Sequence, residues 1–253
     1  MGFFCKAQVL FDIICMTMEP IPKEKIPKIC VPRDIMLQAA MMRLGNIDKE
    51  IEDGYNILRK YHKTVTIFGS ARTPEDTKYY NMAVDVAEKL AGHGYAVVSG
   101  GGYGIMSAAN EGAHIAVQRG ARKAGGESIA FNIKLPHEQH LNPYATESYE
   151  FQHFAPRKIV MTLYADAYIY FPGGFGTMDE LTEILTLVQT GKTNKAPIIL
   201  VGSSFWKHFD EFVKEAMIGE DTIVPEDLEL YIITDNIDKV VETVLANRTY
   251  CKH

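Results

Sequence analysis

One stretch constrains this chain more than any other: Ile169-Tyr-Phe-Pro172-Gly173-Gly174-Phe175-Gly176-Thr177-Met178-Asp179-Glu180. An apolar run ends at a proline, and three glycines follow within four residues. An acidic, amphipathic segment from Asp179 to Gln189 then has the spacing of a helix. Strand, glycine turn and helix start together make an anion cradle. Glycine lets the backbone turn tightly and approach a ligand. The first amides of a helix lack internal partners and point at whatever lies before them.

Two more glycine turns follow apolar runs. Val65 to Phe68 is a β-branched run, hence a buried strand, and ends in Gly69-Ser70-Ala71-Arg72. Thr73 and Pro74 then read as cap and first position of a helix. Tyr95 to Val98 is a second strand. It leads into Ser99-Gly100-Gly101-Gly102-Tyr103-Gly104 and a helix from Ile105 to about Arg119. Further strands are expected at Ser128–Ile133, Tyr149–Phe154, Ala167–Phe171, Pro197–Val201 and Tyr231–Thr234. Helices are expected at Arg157–Tyr164, around Trp206–Ala216 and at Ile237–Ala246. This alternation predicts an α/β fold, a Rossmann-like doubly wound parallel sheet with helices on both faces. Ligands of such sheets bind beyond the carboxyl ends of the strands. Three glycine turns at such ends predict one site, although each turn alone also suits tight helix–sheet packing.

Before the sheet, the chain divides into an extension and linker (1–33) and a helical arm (34–63). The linker is rich in proline and lysine, and the arm breaks at Gly45-Asn46, with Asn46 as a cap. The third division, 64–250, holds the expected sheet and its three glycine turns. Val9 to Met18 resembles the apolar part of an export signal. Asp12 interrupts it, no small-residue cleavage site follows clearly, and it is too short to span a membrane. The four cysteines lie near the ends without a CxxC pair, which predicts neither disulfide framework nor zinc site and fits a reducing cytoplasm. A net charge of -6 argues against nucleic-acid polymers and anionic membranes as partners.

The chemistry-bearing candidates lie around the turns. Glu180 follows the cradle. It is either a carboxylate favoured by the helix dipole or a working group. Beside a bound phosphate it needs a cation, and Arg157 and Lys158 are candidates, unless both are solvated helix residues. Gly100–Gly104 is a poor match to a dinucleotide fingerprint, because no acidic residue ends the following strand. A Walker-type G-x-x-x-x-G-K-[ST] loop is absent. His137, His140 and His153 lack metal-ligand spacing, so no metal and no cofactor are expected.

Gly100-Gly-Gly-Tyr-Gly-Ile-Met106 and Pro172-Gly-Gly-Phe-Gly-Thr-Met-Asp-Glu180, with Arg157-Lys158 between them, resemble the LOG ("lonely guy") proteins, often mislabelled lysine decarboxylases. Phe68-Gly-Ser-Ala-Arg72, Glu138-Gln139 and Asn142-Pro143-Tyr144 are similar to the bacterial branch. The resemblance covers roughly Thr64 to Leu200. It implies a Rossmann-like homodimer or higher homo-oligomer. It also implies hydrolysis of the N-glycosidic bond of a nucleoside 5′-monophosphate to free base and ribose 5-phosphate. Arg157 and Glu180 take the catalytic positions. Where the plant-type motif has an extra residue before its last glycine, this chain has only Tyr103, so AMP-like substrates stand beside cytokinin riboside monophosphates.

The expected mechanism puts the 5′-phosphate on the amides of Gly173, Gly174, Gly176 and Thr177, with the Thr177 hydroxyl as a further donor. Glu180, held ionised by Arg157 and the helix start, acts as anion and base. Gly69, Ser70, Gly101, Gly102, Gly104, Met106, Glu111 and Lys158 complete the expected substrate contacts. The alternative is a non-catalytic nucleotide or molybdenum-cofactor carrier or sensor of the same fold. No lysine context for pyridoxal phosphate supports a decarboxylase.

Overall fold

The computed structural model describes residues 32–135, 140–163 and 165–247, apart from the side chains of residues 42 and 43. The chain forms two compact units, Met1–Arg43 and Leu44–His253. The expected extension at 1–33 lies almost wholly outside the described residues. Helix α1 (Arg33–Leu44) exposes Ile35, Met36, Leu37 and Met41. Helix α2 (Ile47–Leu58) falls in the second unit, so the two helices of the expected arm divide between the units. Asn46 precedes α2 but makes no side-chain cap, because its own backbone is already helical.

The second unit is built on seven strands: β1 (Thr64–Phe68), β2 (Ala96–Ser99), β3 (Glu127–Ile133), β4 (Glu147–Phe151), β5 (Ala167–Tyr170), β6 (Ile198–Leu200) and β7 (Ile232–Ile233). All neighbouring pairs are parallel, in the order β4-β3-β2-β1-β5-β6-β7. The helices between them are α3 (Lys78–Gly92), α4 (Ile105–Gln118), α5 (Phe154–Thr162), α6 (Phe175–Gln189), α7 (Ser203–Phe212) and, last, α8 (Ile237–Ala246). Successive side chains in a strand point to opposite faces. Val65, Ile67, Val97, Ile169 and Ile199 therefore join one core with residues of α3, α4 and α8. Phe68, Val98, Phe131, Tyr168, Tyr170 and Leu200 join the other with residues of α2, α5 and α6. Both faces are buried, which is why the strands read as near-continuous apolar runs.

The chain runs outward from β1 through β2 and β3 to β4, then returns to the other side of β1 to make β5, β6 and β7. The order reverses between β1 and β5, the place where open α/β sheets bind ligands. Register pairs Phe68 with Tyr170, so the two strands end level. Just beyond, the Ser70 N–H donates to the Pro172 carbonyl at 3.0 Å.

Several helix starts differ from expectation, among them α5, which begins at Phe154 rather than Arg157, so that Phe154 is helical and not the end of a strand. Helix α3 begins at Lys78 rather than Thr73, because Asp76 has φ +60° and Thr77 is extended. Helix α6 begins at Phe175, not Asp179, with Gly174 as the flanking residue. The glycine turn is thus itself the first helical turn. No helix among the described residues is long and apolar enough to cross a membrane.

Candidate active site

A cleft of ≈ 580 Å³ opens over the ends of β1 and β5. The loop after β1 supplies Gly69, Ser70, Ala71 and Arg72. Gly100 and Met106 come from the second turn and α4, Ile133 and Leu135 from the end of β3. Helix α5 supplies Phe154 and Arg157, and α6 supplies Phe175, Gly176, Thr177, Asp179 and Glu180.

The start of α6 forms one wall. The first backbone bond onto the turn is the Met178 N–H donating to the Gly174 carbonyl at 3.0 Å. The amides of Phe175, Gly176 and Thr177 therefore have no intrahelical partner and are available to an anion. Gly174 and Gly176 have open space where a Cβ would stand. Glu180 lies five residues beyond Phe175, past the first turn in which a helix dipole acts strongly.

Arg157 and Glu180 are each only 8% exposed. The Arg157 Nε–H donates to the Phe131 carbonyl at 2.8 Å, which anchors the guanidinium to β3. Burial lowers the Arg157 pKa from its ordinary value, and the neighbouring Glu180 charge opposes that shift. Burial likewise raises the Glu180 carboxyl. Arg157 and the residue's own backbone amide pull it back, and Asp179 pushes it further up. The net direction is upward. Proximity to Arg157 and the helix start was expected to hold this group ionised, and desolvation outweighs both. The arrangement is a buried carboxylate with a proton affinity above that of a free glutamate, in the field of a buried arginine that stays charged.

Gly100 is the residue of the second turn that reaches the cleft. A Cβ there would overlap Arg157 Nη2 and Met106 Sδ, so the guanidinium occupies the space the missing side chain leaves. Gly101, Gly102 and Gly104 do not line the cleft. The Gly101 and Gly102 carbonyls accept from Asn142, through its N–H at 2.8 Å and its Nδ2 at 3.2 Å. Asn142 Nδ2 also donates to Asn110 Oδ1 at 2.8 Å, and Ser99 Oγ donates to the same oxygen at 2.6 Å. Gly104 has φ +63°, and a Cβ there would strike the Ser70 carbonyl. Gly104 fits the turn against the loop after β1, and Gly101 and Gly102 hold it to Asn142.

Lys158 and Glu111 also lie elsewhere. Lys158 bridges Asp179 at 2.9 Å and Glu183 at 3.2 Å, which ties α5 to α6. Glu111 accepts from the Tyr80 hydroxyl at 2.7 Å. Gly173 sits over Thr177, whose Oγ1 fills the space a Cβ would need. Ser70 lines the cleft, but its hydroxyl accepts from the Arg72 N–H at 3.0 Å and its carbonyl from the Ile105 N–H at 3.0 Å. Among the described residues no three His, Cys, Asp or Glu side chains are grouped as metal ligands. Glu138, Gln139 and His137 lie outside the described residues.

The sequence model described as "Possible lysine decarboxylase" matches residues 115–244, about half of the chain and the part that carries Arg157 and Glu180. A protein of Mycobacterium tuberculosis, named cytokinin riboside 5′-monophosphate phosphoribohydrolase, is 30% identical over 177 residues, 69% of this chain and 89% of that one. The chain belongs to the LOG family. A second LOG-family relative, from Rhodococcoides fascians and of the same name, is 27% identical over 187 residues, 72% of this chain and 89% of its own. Among solved structures, the molybdenum cofactor carrier protein of Chlamydomonas reinhardtii superposes with TM-score 0.50 at 19% identity. That match covers 73% of this chain and 98% of the carrier. At that identity the likeness is one of fold alone.

The expected site residues and the cleft coincide at Gly69, Ser70, Met106, Arg157, Gly174, Gly176, Thr177 and Glu180. Three lining residues, Arg72, Phe154 and Leu135, were not among the expected contacts, although Arg72 ends the Phe68–Arg72 motif. Their types are ordinary for loops and helix starts, and only the fold brings them to one cleft.

Proposed function

We propose that this chain hydrolyses the N-glycosidic bond of a nucleoside 5′-monophosphate, AMP-like or a cytokinin riboside monophosphate, to free base and ribose 5-phosphate. The observation that carries this reading is that buried Glu180 and Arg157 line one cleft whose wall is the unbonded first turn of α6. The names of the relatives from M. tuberculosis and R. fascians support the same reaction.

The 5′-phosphate rests on the amides of Phe175, Gly176 and Thr177, and the ribose extends toward Glu180. Breaking the bond from C1′ to the base nitrogen leaves its electron pair on the base and positive charge on the sugar ring. Glu180 in its ionised form stabilises that charge and accepts a proton from the attacking water, whose oxygen bonds to C1′. Arg157 keeps the carboxylate oriented and opposes its protonation. The departing base takes up a proton. The protein works as a homo-oligomer in a reducing cytoplasm, a reading supported by the family resemblance and by cysteines confined to the chain ends.

The test is a panel of nucleoside monophosphates incubated with purified protein, with free base measured by chromatography. Glu180→Gln is expected to lose base release by about 100- to 10,000-fold, the usual worth of a positioned general base, while still binding nucleotide. Release at the wild-type rate by that variant would sink the assignment. Nucleotide-induced thermal stabilisation without turnover in the wild type would point to a carrier instead.

A further inference from the structure

We propose that Arg72 is the side chain that recognises the substrate's phosphate. The inference rests on the proposed nucleotide reading and concerns how that site tells a nucleotide from a nucleoside.

Among the described residues the cleft has two positively charged lining side chains, Arg72 and Arg157. Arg157 is committed: it is 8% exposed, its Nε–H is held by the Phe131 carbonyl, and its charge acts on the neighbouring Glu180 carboxyl. Lys158, the nearest alternative in sequence, is held by Asp179 and Glu183. Asp179 and Glu180 stand in the same lining and only Asp179 is bridged, by Lys158, so backbone amides alone leave a dianionic phosphate beside a carboxylate. Arg72 is exposed, and among the described residues its guanidinium has no carboxylate partner and no hydrogen bond.

Its backbone is well placed. The Arg72 N–H is fixed to Ser70 Oγ at 3.0 Å, and the Ser70 N–H is fixed to the Pro172 carbonyl at 3.0 Å. Pro172 leads directly into the turn that starts α6. The loop that presents Arg72 is thus tied by two hydrogen bonds to the segment that presents the free amides. A guanidinium forks onto two phosphate oxygens, and a phosphate that accepts both the fork and the helix amides is held from two sides.

The experiment measures AMP and adenosine cleavage by wild type, Arg72→Ala and Arg72→Lys, with calorimetric binding of ribose 5-phosphate alongside. Arg72→Ala is expected to raise KM for AMP about 10- to 100-fold and leave kcat within about threefold, the pattern for loss of a charged ground-state contact. Its preference for AMP over adenosine falls by the same factor, and Arg72→Lys recovers part of it. Unchanged KM and unchanged ribose 5-phosphate affinity in Arg72→Ala overturn the proposal. Wild type that binds ribose 5-phosphate without cleaving AMP overturns the hydrolase reading alone. Loss of that binding in Arg72→Ala then still supports the phosphate role. Wild type that neither cleaves AMP nor binds ribose 5-phosphate overturns both.

Discussion

Glu180 and Gly100 show how single residues set the chemistry of this cleft. The Glu180 carboxyl is raised by burial, so the folded protein holds its proton to a higher pH than the unfolded chain does. Its contribution to stability is therefore largest below the ordinary glutamate value and declines as pH rises through the raised one. Carbon-detected NMR of the labelled carboxyl, assigned with Glu180→Gln, is expected to show a midpoint above the ordinary glutamate value. A midpoint at or below it would remove desolvation as the dominant influence. Gly100 acts by absence. Gly100→Ala places a methyl group where Arg157 Nη2 and Met106 Sδ now lie. A displacement of about 1 Å at a catalytic group costs about 100-fold in rate, and that loss of kcat is the expected outcome, with binding of ribose 5-phosphate largely kept. The motif made all the glycines of this turn look alike. Only the packing separates Gly100, which gives room to a guanidinium, from Gly101, Gly102 and Gly104, which serve the turn.

Among the elements, α2 has more to do with the site than its sequence suggested. Glu50 on α2 is buried, and its Oε2 accepts from the Gln152 and His153 amides at 3.1 and 3.2 Å. Its Oε1 lies 2.8 Å from His153 Nδ1. These groups stand at the entrance to α5, whose fourth residue is Arg157. Glu50→Ala leaves those donors unsatisfied, at a cost of about 1–3 kcal/mol. Thermal denaturation should show a Tm lower by several degrees, with reduced kcat, and Glu50→Gln should restore part of both. The amphipathic spacing of Ile47, Ile51, Tyr55 and Leu58 revealed the helix, but a polar position on it gave no sign of a partner a hundred residues away. Strands were legible for a local reason: their cores are β-branched runs closed by glycine or polar turns. Helix starts were less so. Asp76 with positive φ delays α3, and α6 is entered through Gly173 and Gly174 and has Gly176 in its first turn, a residue that counts against helix by propensity.

At the scale of the molecule, the cleft exists because the chain reverses direction across the sheet at β1. The alternation of strands and helices announced a parallel sheet, and the three glycine turns pointed to one edge of it. The strand order that sets β1 beside β5 was not in the pattern, since it depends on which crossovers the helices can pack. The same limit applies to Arg72: the motif contains it, but its loop gains meaning only beside Pro172. One consequence follows from where α6 begins. The free amides of residues 175–177 and the carboxylate of Glu180 belong to the same rigid helix, so their separation is fixed by its rise. At 1.5 Å per residue, three to five residues make about 4.5 to 7.5 Å along the axis. That span is comparable with the reach from a 5′-phosphate to the anomeric carbon of its own ribose. On the proposed reading the helix is a ruler: it grips one end of the substrate and measures the distance to the bond that breaks. A 3′-monophosphate offers the same charge at the wrong length. Competition and turnover assays should find that 3′-AMP inhibits but is cleaved at least about 100-fold more slowly than 5′-AMP.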